Sequence, residues 1–285
     1  MHIKEPNWVS EARASYKVEV GQGYPETDFS RGRLANQVLE RKILPVIGGI
    51  VDILLIGIGM DGDPIYGSSE PYRISGFMEG KCRDYRMTIV DKNSSVIDDV
   101  KSRRRLFISN SMYETHKWYG REWDSFLRET GQNGELVHEL VDGLKLAKYV
   151  LKYEDLLTRY LKSGFRMAGI PKQFRKKLES GEVSLVNADI ATVDLSDQNG
   201  FDFVSCPNIL YLLPADGQKL AVYNIARNTK NKGIVLTNDL GYVGNPLLPR
   251  QGGWFTEDKQ REIGLVVDEV ISSKDRSQTL SFRKE

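Results

Sequence analysis

Residues 51–64, VDILLIGIGMDGDP, constrain the fold of this 285-residue chain more than any other stretch. Ile53-Leu54-Leu55-Ile56 is an unbroken apolar run bounded by Asp52 and Gly57. An apolar run of that length closed by glycine reads as a strand buried on both faces. Gly57-Ile58-Gly59-Met60-Asp61-Gly62 follows it as a G-x-G-x-x-G string. Glycine at the carboxyl end of a strand lets the chain turn tightly and lets a ligand approach bare backbone. In an open α/β sheet the crevice beyond those strand ends is where a nucleotide-like ligand sits. Met87-Thr88-Ile89-Val90 is a second short apolar run, and it ends in Asp91. An acid at that place accepts hydrogen bonds from ribose hydroxyls. Strand, glycine turn, helix, strand and acid, in that order, point to an adenosine cofactor.

The charges around the turn narrow the class of cofactor. The gap from Gly62 to Asp91 exceeds the about 20 residues of a nicotinamide-dinucleotide fingerprint. Asp61 and Asp63 flank Gly62. Two carboxylates there would repel a pyrophosphate, which needs helix N-terminal N–H groups and no nearby anion. They suit a cofactor that carries positive charge. S-adenosylmethionine carries both a sulfonium and an ammonium, so the local electrostatics favour it over NAD(P).

Composition bounds the remaining classes. Apolar residues make up 40% of the chain and charged residues 28%, the balance of an ordinary globular protein and not of a disordered one. The formal charge of +1 provides no basic excess for nucleic acid or an anionic membrane. Cys82 and Cys206 form no disulfide framework, and with His2, His116 and His138 scattered, no metal site is expected. No apolar run approaches the ~20 residues of a membrane span. The opening MHIKEPNW lacks the apolar core of a signal peptide, so a cytoplasmic enzyme is expected.

Along the chain, residues 1–30 are polar and rich in turn formers, and they read as a loosely attached arm. Leu34, Val38, Leu39 and Ile43 then recur at helical spacing, with Thr27 or Ser30 as N-cap and Pro45 and Gly48-Gly49 as the stop. That helix is either a packing element or a lid whose Phe29 or Arg31 reaches the site. A late helix start at Pro71, capped by Ser69, accounts for the long gap before Asp91. Residues 94–105 read as a helix ending in Arg103-Arg104-Arg105, a solvated basic end that complements the macrodipole. Residues 106–182 interrupt the strand–helix alternation. They are rich in helical pattern from Leu136 to Leu161, they carry Trp118, Tyr119 and Trp123, and they are placed to recognise a substrate. Residues 171–177 form a basic stretch read as an exposed helix. Runs at 183–186, 201–206 and 234–237 restore the alternation around a helix over 215–228, and two late β-type runs at 265–271 and 279–282 follow. The expected architecture is α/β, a Rossmann-like and mostly parallel sheet closed by an antiparallel hairpin. Residues 50–285 would form this domain with the helical insertion 106–182, preceded by an arm and helix over 1–49.

This layout is similar to that of the class I S-adenosylmethionine-dependent methyltransferases and, within that class, resembles the chemotaxis-receptor glutamate (CheR-type) methyltransferases. Thr27-Asp28-Phe29-Ser30-Arg31 looks like that family's T-x-F-F-R segment. Gly59-Met60-Asp61-Gly62-Asp63-Pro64 resembles its S-T-G-E-E-P turn. Phe201-Asp202 through Cys206-Pro207-Asn208-Ile209-Leu210 is similar to its F-D-x-I-x-C-R-N-V-L motif, and Gly233-Ile234-Val235-Leu236 to its G-G-x-L. The resemblance implies that Gly57, Gly59 and Asp61 border the methionine part of S-adenosylmethionine and that Asp91 holds the ribose. It implies further that Asp189 and Ile190 flank the adenine, and that Cys206, Pro207 and Asn208 line the far side. Arg31 would reach an acceptor carboxylate. Ser30 and Pro207 depart from the pattern, and Tyr211 stands one residue earlier than the family's tyrosine. The acceptor is therefore left as a small metabolite or a protein carboxylate. A hydroxyl or amine acceptor would need a general base, for which Tyr211 and Asp239 are candidates. Two other readings stay open: a sensor or scaffold that binds the cofactor or its product without turnover, and an NAD(P)-dependent oxidoreductase, which Asp61 and Asp63 oppose.

Overall fold

The computed structural model describes residues 5–17, 26–27, 31–61, 65–66, 69–115, 117–137, 165–195, 197–207, 209–239, 254–272 and 278–285. In chain order the elements begin with α1 (Asn7–Ser15), β1 (Glu26–Thr27), and α2 (Arg31–Val38), which widens into a π turn over Leu39–Ile43. The central strand β2 (Val51–Ile56), β3 (Met60–Asp61), β4 (Ile65–Tyr66), α3 (Glu70–Gly80), β5 (Tyr85–Asp91) and α4 (Ser94–Ser102) follow. Next come β6 (Arg105–Ser109), α5 (Asn110–Thr115), α6 (Lys117–Thr130), β7 (Glu135–Val137), β8 (Phe165–Gly169) and α7 (Lys172–Ser180). The remainder is β9 (Val183–Asn187), β10 (Phe201–Ser205), a 3-10 turn at Leu210–Leu212, α8 (Ala215–Asn228), β11 (Thr229–Asp239), α9 (Glu257–Ile263), β12 (Leu265–Ser272) and β13 (Gln278–Lys284).

The main sheet has seven strands in the order β12-β13-β11-β10-β2-β5-β9. Strands β9, β5, β2, β10 and β11 are mutually parallel. Strand β13 is inserted between β11 and β12 and runs antiparallel to both. This is the Rossmann-like, mostly parallel sheet with a closing antiparallel hairpin that the apolar runs foretold. The chain builds outward from β2 through β5 to β9, then returns to the other side of β2 with β10. That reversal makes the β2/β10 boundary a topological switch point, the place where open α/β sheets bind ligands beyond the strand ends.

All six residues of β2 are buried, as its apolar run requires. Side chains alternate across a strand, and here the alternation divides one core into two. Val51, Ile53 and Leu55 face a layer with Ala35, Leu39, Tyr72, Ile74 and Trp123. Leu54 and Ile56 face the opposite layer, with Val9, Ala12, Leu220, Tyr223 and Phe255.

Four expectations need correction. Residues 1–30 are not uniformly a loose arm, because α1 buries Val9 and Ala12 in the second layer; a short amphipathic helix with two small apolar contacts leaves little periodic signal. The basic run at 103–105 is no solvated helix end. Helix α4 stops at Ser102, Arg103 is buried with its guanidinium on the Asp99 carboxylate at 2.6 and 2.7 Å, and Arg105 lies in β6. Within 106–182 the described residues are not all helical. Strands β4, β6, β8 and β7 form a separate antiparallel sheet in that order, with Leu136 and Val137 in β7. Residues 138–164, where the rest of the periodic pattern falls, lie outside the described residues. The basic stretch at 171–177 is helical, but Lys177 is buried between Asp84 and Glu182.

Candidate functional site

The glycine turn at the end of β2 depends on conformation and on space. Gly57 and Gly59 have φ of +57° and +56°, the left-handed region that costs any other L-residue roughly 1–2 kcal/mol. A Cβ on Gly57 would also lie 2.2 Å from Ile209 Cδ1, just after β10. The turn is thus pinched between the ends of β2 and β10, at the switch point. Gly57 N–H continues the ladder by donating to Val90 O at 2.8 Å.

Asp91 ends the neighbouring strand β5 and is tied to the same turn. Its Oδ2 accepts Gly59 N–H at 3.1 Å and its Oδ1 accepts Asn93 N–H at 2.8 Å. Asn93 in turn caps α4, its Oδ1 accepting Ser95 N–H at 3.0 Å. Asp91 is 7% exposed. Burial pushes its pKa up, the Asn93 and Gly59 donors and the Arg31 charge pull it back, and the net displacement is upward. An ionised carboxylate offers about four acceptor positions, so the two backbone donors leave room for two more.

Beneath the turn lies a buried polar set. Arg31, at the start of α2 and 1% exposed, donates through Nη1 to Gly57 O at 2.6 Å and through Nη2 to Ile56 O at 3.2 Å. Its Nη2 also lies 3.1 Å from Glu70 Oε2, the two side chains each being 2% exposed. Glu70 Oε1 accepts the Ser205 hydroxyl at 2.6 Å. Burial raises the Glu70 pKa against the opposing pull of Arg31 and Ser205. Cys206, also buried, has its thiol pushed up to about 12, chiefly by desolvation, so it stays protonated and is no nucleophile at neutral pH.

Asp189 lies beyond the end of β9, next in the sheet after β5. Ala188 N–H and Asn187 Nδ2 both donate to Asp91 O, at 3.1 and 2.9 Å, which ties the two acid-bearing strand ends together. Asp189 Oδ1 accepts Ala191 N–H at 2.9 Å, and Oδ2 accepts the Tyr16 hydroxyl at 2.8 Å. Ile190 is buried, and its carbonyl accepts Asn224 Nδ2 at 2.9 Å.

Gly57, Gly59, Asp91, Asp189, Ile190, Cys206 and Pro207 therefore all fall at the carboxyl ends of β2, β5, β9 and β10. The Asp61 backbone lies in β3, which pairs in parallel with β1 through Glu26↔Met60 and Thr27↔Asp61. The two motif segments 27–31 and 59–64 are thus neighbours through their described residues. Tyr211 belongs to the 3-10 turn after β10, and Asp239 ends β11. The side chains of Asp61, Tyr211 and Asp239 lie outside the described part of the molecule, as do residues Asp28, Phe29, Ser30, Gly62, Asp63, Pro64 and Asn208. Arg31 is brought to the turn, but its guanidinium is engaged with Gly57 O, Ile56 O and Glu70 in the interior. Those contacts describe a group that holds the turn, whereas the expected reach was to an acceptor carboxylate.

Glu70, Ser205 and Tyr16 escaped the sequence reading. An acid immediately before Pro71, opening a helix of apolar residues, is a readable sign for Glu70. Ser205 inside an apolar strand is a weaker one, and Tyr16 carried none. Among the described residues no group of His, Cys, Asp and Glu side chains could hold a metal ion, and no helix is long and apolar enough to cross a membrane.

No family model and no curated protein matches the sequence. Among solved structures, the chain is similar to a TehB-like SAM-dependent methyltransferase from Corynebacterium glutamicum, at 14% identity over 98% of this chain and 94% of that one, with a TM-score of 0.41. It is similar to the N-methyltransferase NodS from Bradyrhizobium japonicum in complex with S-adenosyl-L-homocysteine, at 13% identity over 98% and 99%, with a TM-score of 0.40. It is likewise similar to magnesium protoporphyrin IX methyltransferase from Synechocystis with bound SAM, at 10% identity over 99% and 86%, with a TM-score of 0.40. Likeness at this distance fixes no function.

Proposed function

We propose that this chain is an S-adenosylmethionine-dependent methyltransferase whose acceptor is a small metabolite or a protein carboxylate. One observation carries the reading: the Asp91 carboxylate, buried at the end of β5 and held by the N–H groups of Gly59 and Asn93. Its spare acceptor positions suit the two donors of a ribose diol. Asp189 at the next strand end is the corresponding acceptor for a base.

The residues suit the cofactor. Gly57 and Gly59 present backbone without side chains where the methionine part would lie. When bound, the cofactor supplies a methyl group on a sulfonium, a good leaving group in a direct displacement. The chain's task is then to orient and to exclude water. Arg31 serves as a positioning residue. Its bonds to Gly57 O and Ile56 O fix the turn, and Glu70 and Ser205 fix Arg31. Tyr211 is the acceptor-side candidate, because its 3-10 turn follows β10 beside Ile209, which touches Gly57. A carboxylate acceptor needs little help from a base, and a hydroxyl or amine would draw on Tyr211 or Asp239. The small antiparallel sheet is the acceptor platform in this reading. Its strand β4 follows the glycine turn within a few residues and pairs with β6 through Ile65↔Ile108. The CheR-type likeness favours a carboxylate among the acceptors.

Calorimetric titration with S-adenosylhomocysteine, paired with transfer of labelled methyl to lysate proteins and metabolite pools, tests the proposal. Binding and transfer are expected, and Asp91→Ala should weaken binding at least about tenfold, the loss of hydrogen bonds to a charged group. Binding without transfer to any acceptor would replace the enzyme by a sensor. Tight NAD binding with no response to the adenosyl ligand would end the reading.

A further inference from the structure

We propose that Tyr16 positions Asp189 as the acceptor for the exocyclic amino group of an adenine, so that α1 forms part of the cofactor site. This rests on the cofactor reading above. It adds a residue from outside the strand ends.

Tyr16 caps α1, its N–H donating to Ala12 O at 2.8 Å. The helix is fastened along its length. Val9 and Ala12 are buried, Trp8 Nε1 donates to Glu262 Oε2 at 2.7 Å, and Ser15 Oγ donates to Asp216 Oδ2 at 2.6 Å. The Tyr16 ring has a seat cut for it. A Cβ on Gly217, in the first turn of α8, would lie 2.7 Å from Tyr16 Cε2 and 3.3 Å from Cζ. Glycine inside a helix is unfavourable by about 1 kcal/mol relative to alanine, so this glycine has a local reason, which is room for the tyrosine. From that seat the hydroxyl reaches Asp189 Oδ2 at 2.8 Å.

The consequence for the carboxylate is geometric. With Oδ1 on Ala191 N–H and Oδ2 on Tyr16 O–H, Asp189 cannot rotate without losing a donor. Ionised, it is acceptor-only, so a further partner must donate. Adenine offers an amino group at its exocyclic position and hypoxanthine a carbonyl. Tyr16 thus sets how sharply the site tells the two apart. Without its hydroxyl, Lys92 Nζ, now 3.8 Å from Oδ2, is the cation at hand to draw the carboxylate aside.

The test is titration of the full chain with S-adenosylhomocysteine and with S-inosylhomocysteine. The parent should prefer the adenosyl ligand. Tyr16→Phe keeps the ring in its seat and should lower adenosyl affinity about fivefold while leaving inosyl affinity nearly unchanged, the loss of one orienting hydrogen bond. Gly217→Ala, which displaces the ring while favouring the helix, should narrow the preference in the same way. Ser15→Ala loosens the same helix turn without touching Asp189 and should leave the preference intact. An unchanged preference in Tyr16→Phe overturns the assignment, and so does equal narrowing in Ser15→Ala. A parent chain that binds neither ligand overturns the cofactor reading and this inference together, whereas the other failures leave that reading standing.

Discussion

At the scale of single residues, Gly57 and Asp91 bear the largest share of the account. Gly57 has a positive φ and lies against Ile209, so Gly57→Ala meets both backbone strain and a collision with the segment that follows β10. A lowered melting temperature together with at least tenfold weaker S-adenosylhomocysteine binding is expected, and calorimetry on the folded variant checks it. Only while ionised does Asp91 offer charged acceptor positions on both oxygens with no O–H of its own, and burial raises its pKa. Affinity for the adenosyl ligand should therefore fall as pH is lowered through that raised value. Asp91→Asn should bind weakly with a flat pH profile, and titrations over a pH series separate the two. Both residues were legible in the sequence, because each stands where a buried apolar run stops. Arg31 was legible in place but not in role. A sequence shows that an arginine lies near a turn, but not that the Ile56 and Gly57 carbonyls and a distant Glu70 claim its Nη1 and Nη2 groups.

At the scale of elements, the helices over one face are joined by a buried charge cluster. Arg73 of α3 is fully buried. It donates to Glu129 Oε2 and Oε1 at 3.1 and 3.0 Å and to Glu122 Oε2 at 3.2 Å, both acids on α6. Asn36 of α2 adds a bond to Glu129 Oε2 at 2.8 Å. Removing one member strands the others, which typically costs 3–5 kcal/mol. Arg73→Ala should therefore lower unfolding free energy by about that much, read from urea denaturation. Restoring the apolar stem alone with Arg73→Met should recover little of it, since Glu122 would keep only the Arg33 ion pair and Glu129 only the neutral Asn36 and Ser125 donors. Such clusters explain why some elements were misread. Strands β2, β5, β9 and β10 announce themselves through local apolar runs. Lys177 and Arg103 read as surface charge because their basic neighbours are local. For Lys177, one partner, Asp84, is far away in sequence. The small antiparallel sheet is short-stranded and non-local, and β8 (Phe165–Gly169) pairs with the distant β6 (Arg105–Ser109), so no short window of sequence contains it.

At the scale of the whole molecule, the sheet has a working end and a clamped end. The working end gathers the glycine turn and the acids. The amino end of β2 carries Asp52, bonded to Arg86 Nε at 2.7 Å and to Lys230 Nζ at 2.5 Å, with Asp202 Oδ2 accepting Lys230 at 2.9 Å and Asp52 N–H at 2.8 Å. Burial pushes the Asp52 carboxyl up, but the Arg86 and Lys230 hydrogen bonds outweigh it and hold it below its ordinary value. The stability this contributes is present above the unfolded-state pKa and is lost as pH falls through the folded one. Asp52→Asn should therefore be less stable than the parent at neutral pH, with the difference closing in acid, while S-adenosylhomocysteine binding at neutral pH is unchanged. Denaturation midpoints across pH check the first part and calorimetry the second. The separation of ends follows from the alternation of apolar residues along β2, which commits its interior to packing on both faces and leaves chemistry to the termini.

A crystal structure grown with S-adenosylhomocysteine tests the central claim most directly. The ribose hydroxyls are expected on the Asp91 carboxylate, the adenine beside Asp189 and Ile190, and the amino-acid end over Gly57 and Gly59. Density for the ligand elsewhere, or a crevice at the end of β2 filled by the chain's own side chains, would contradict it.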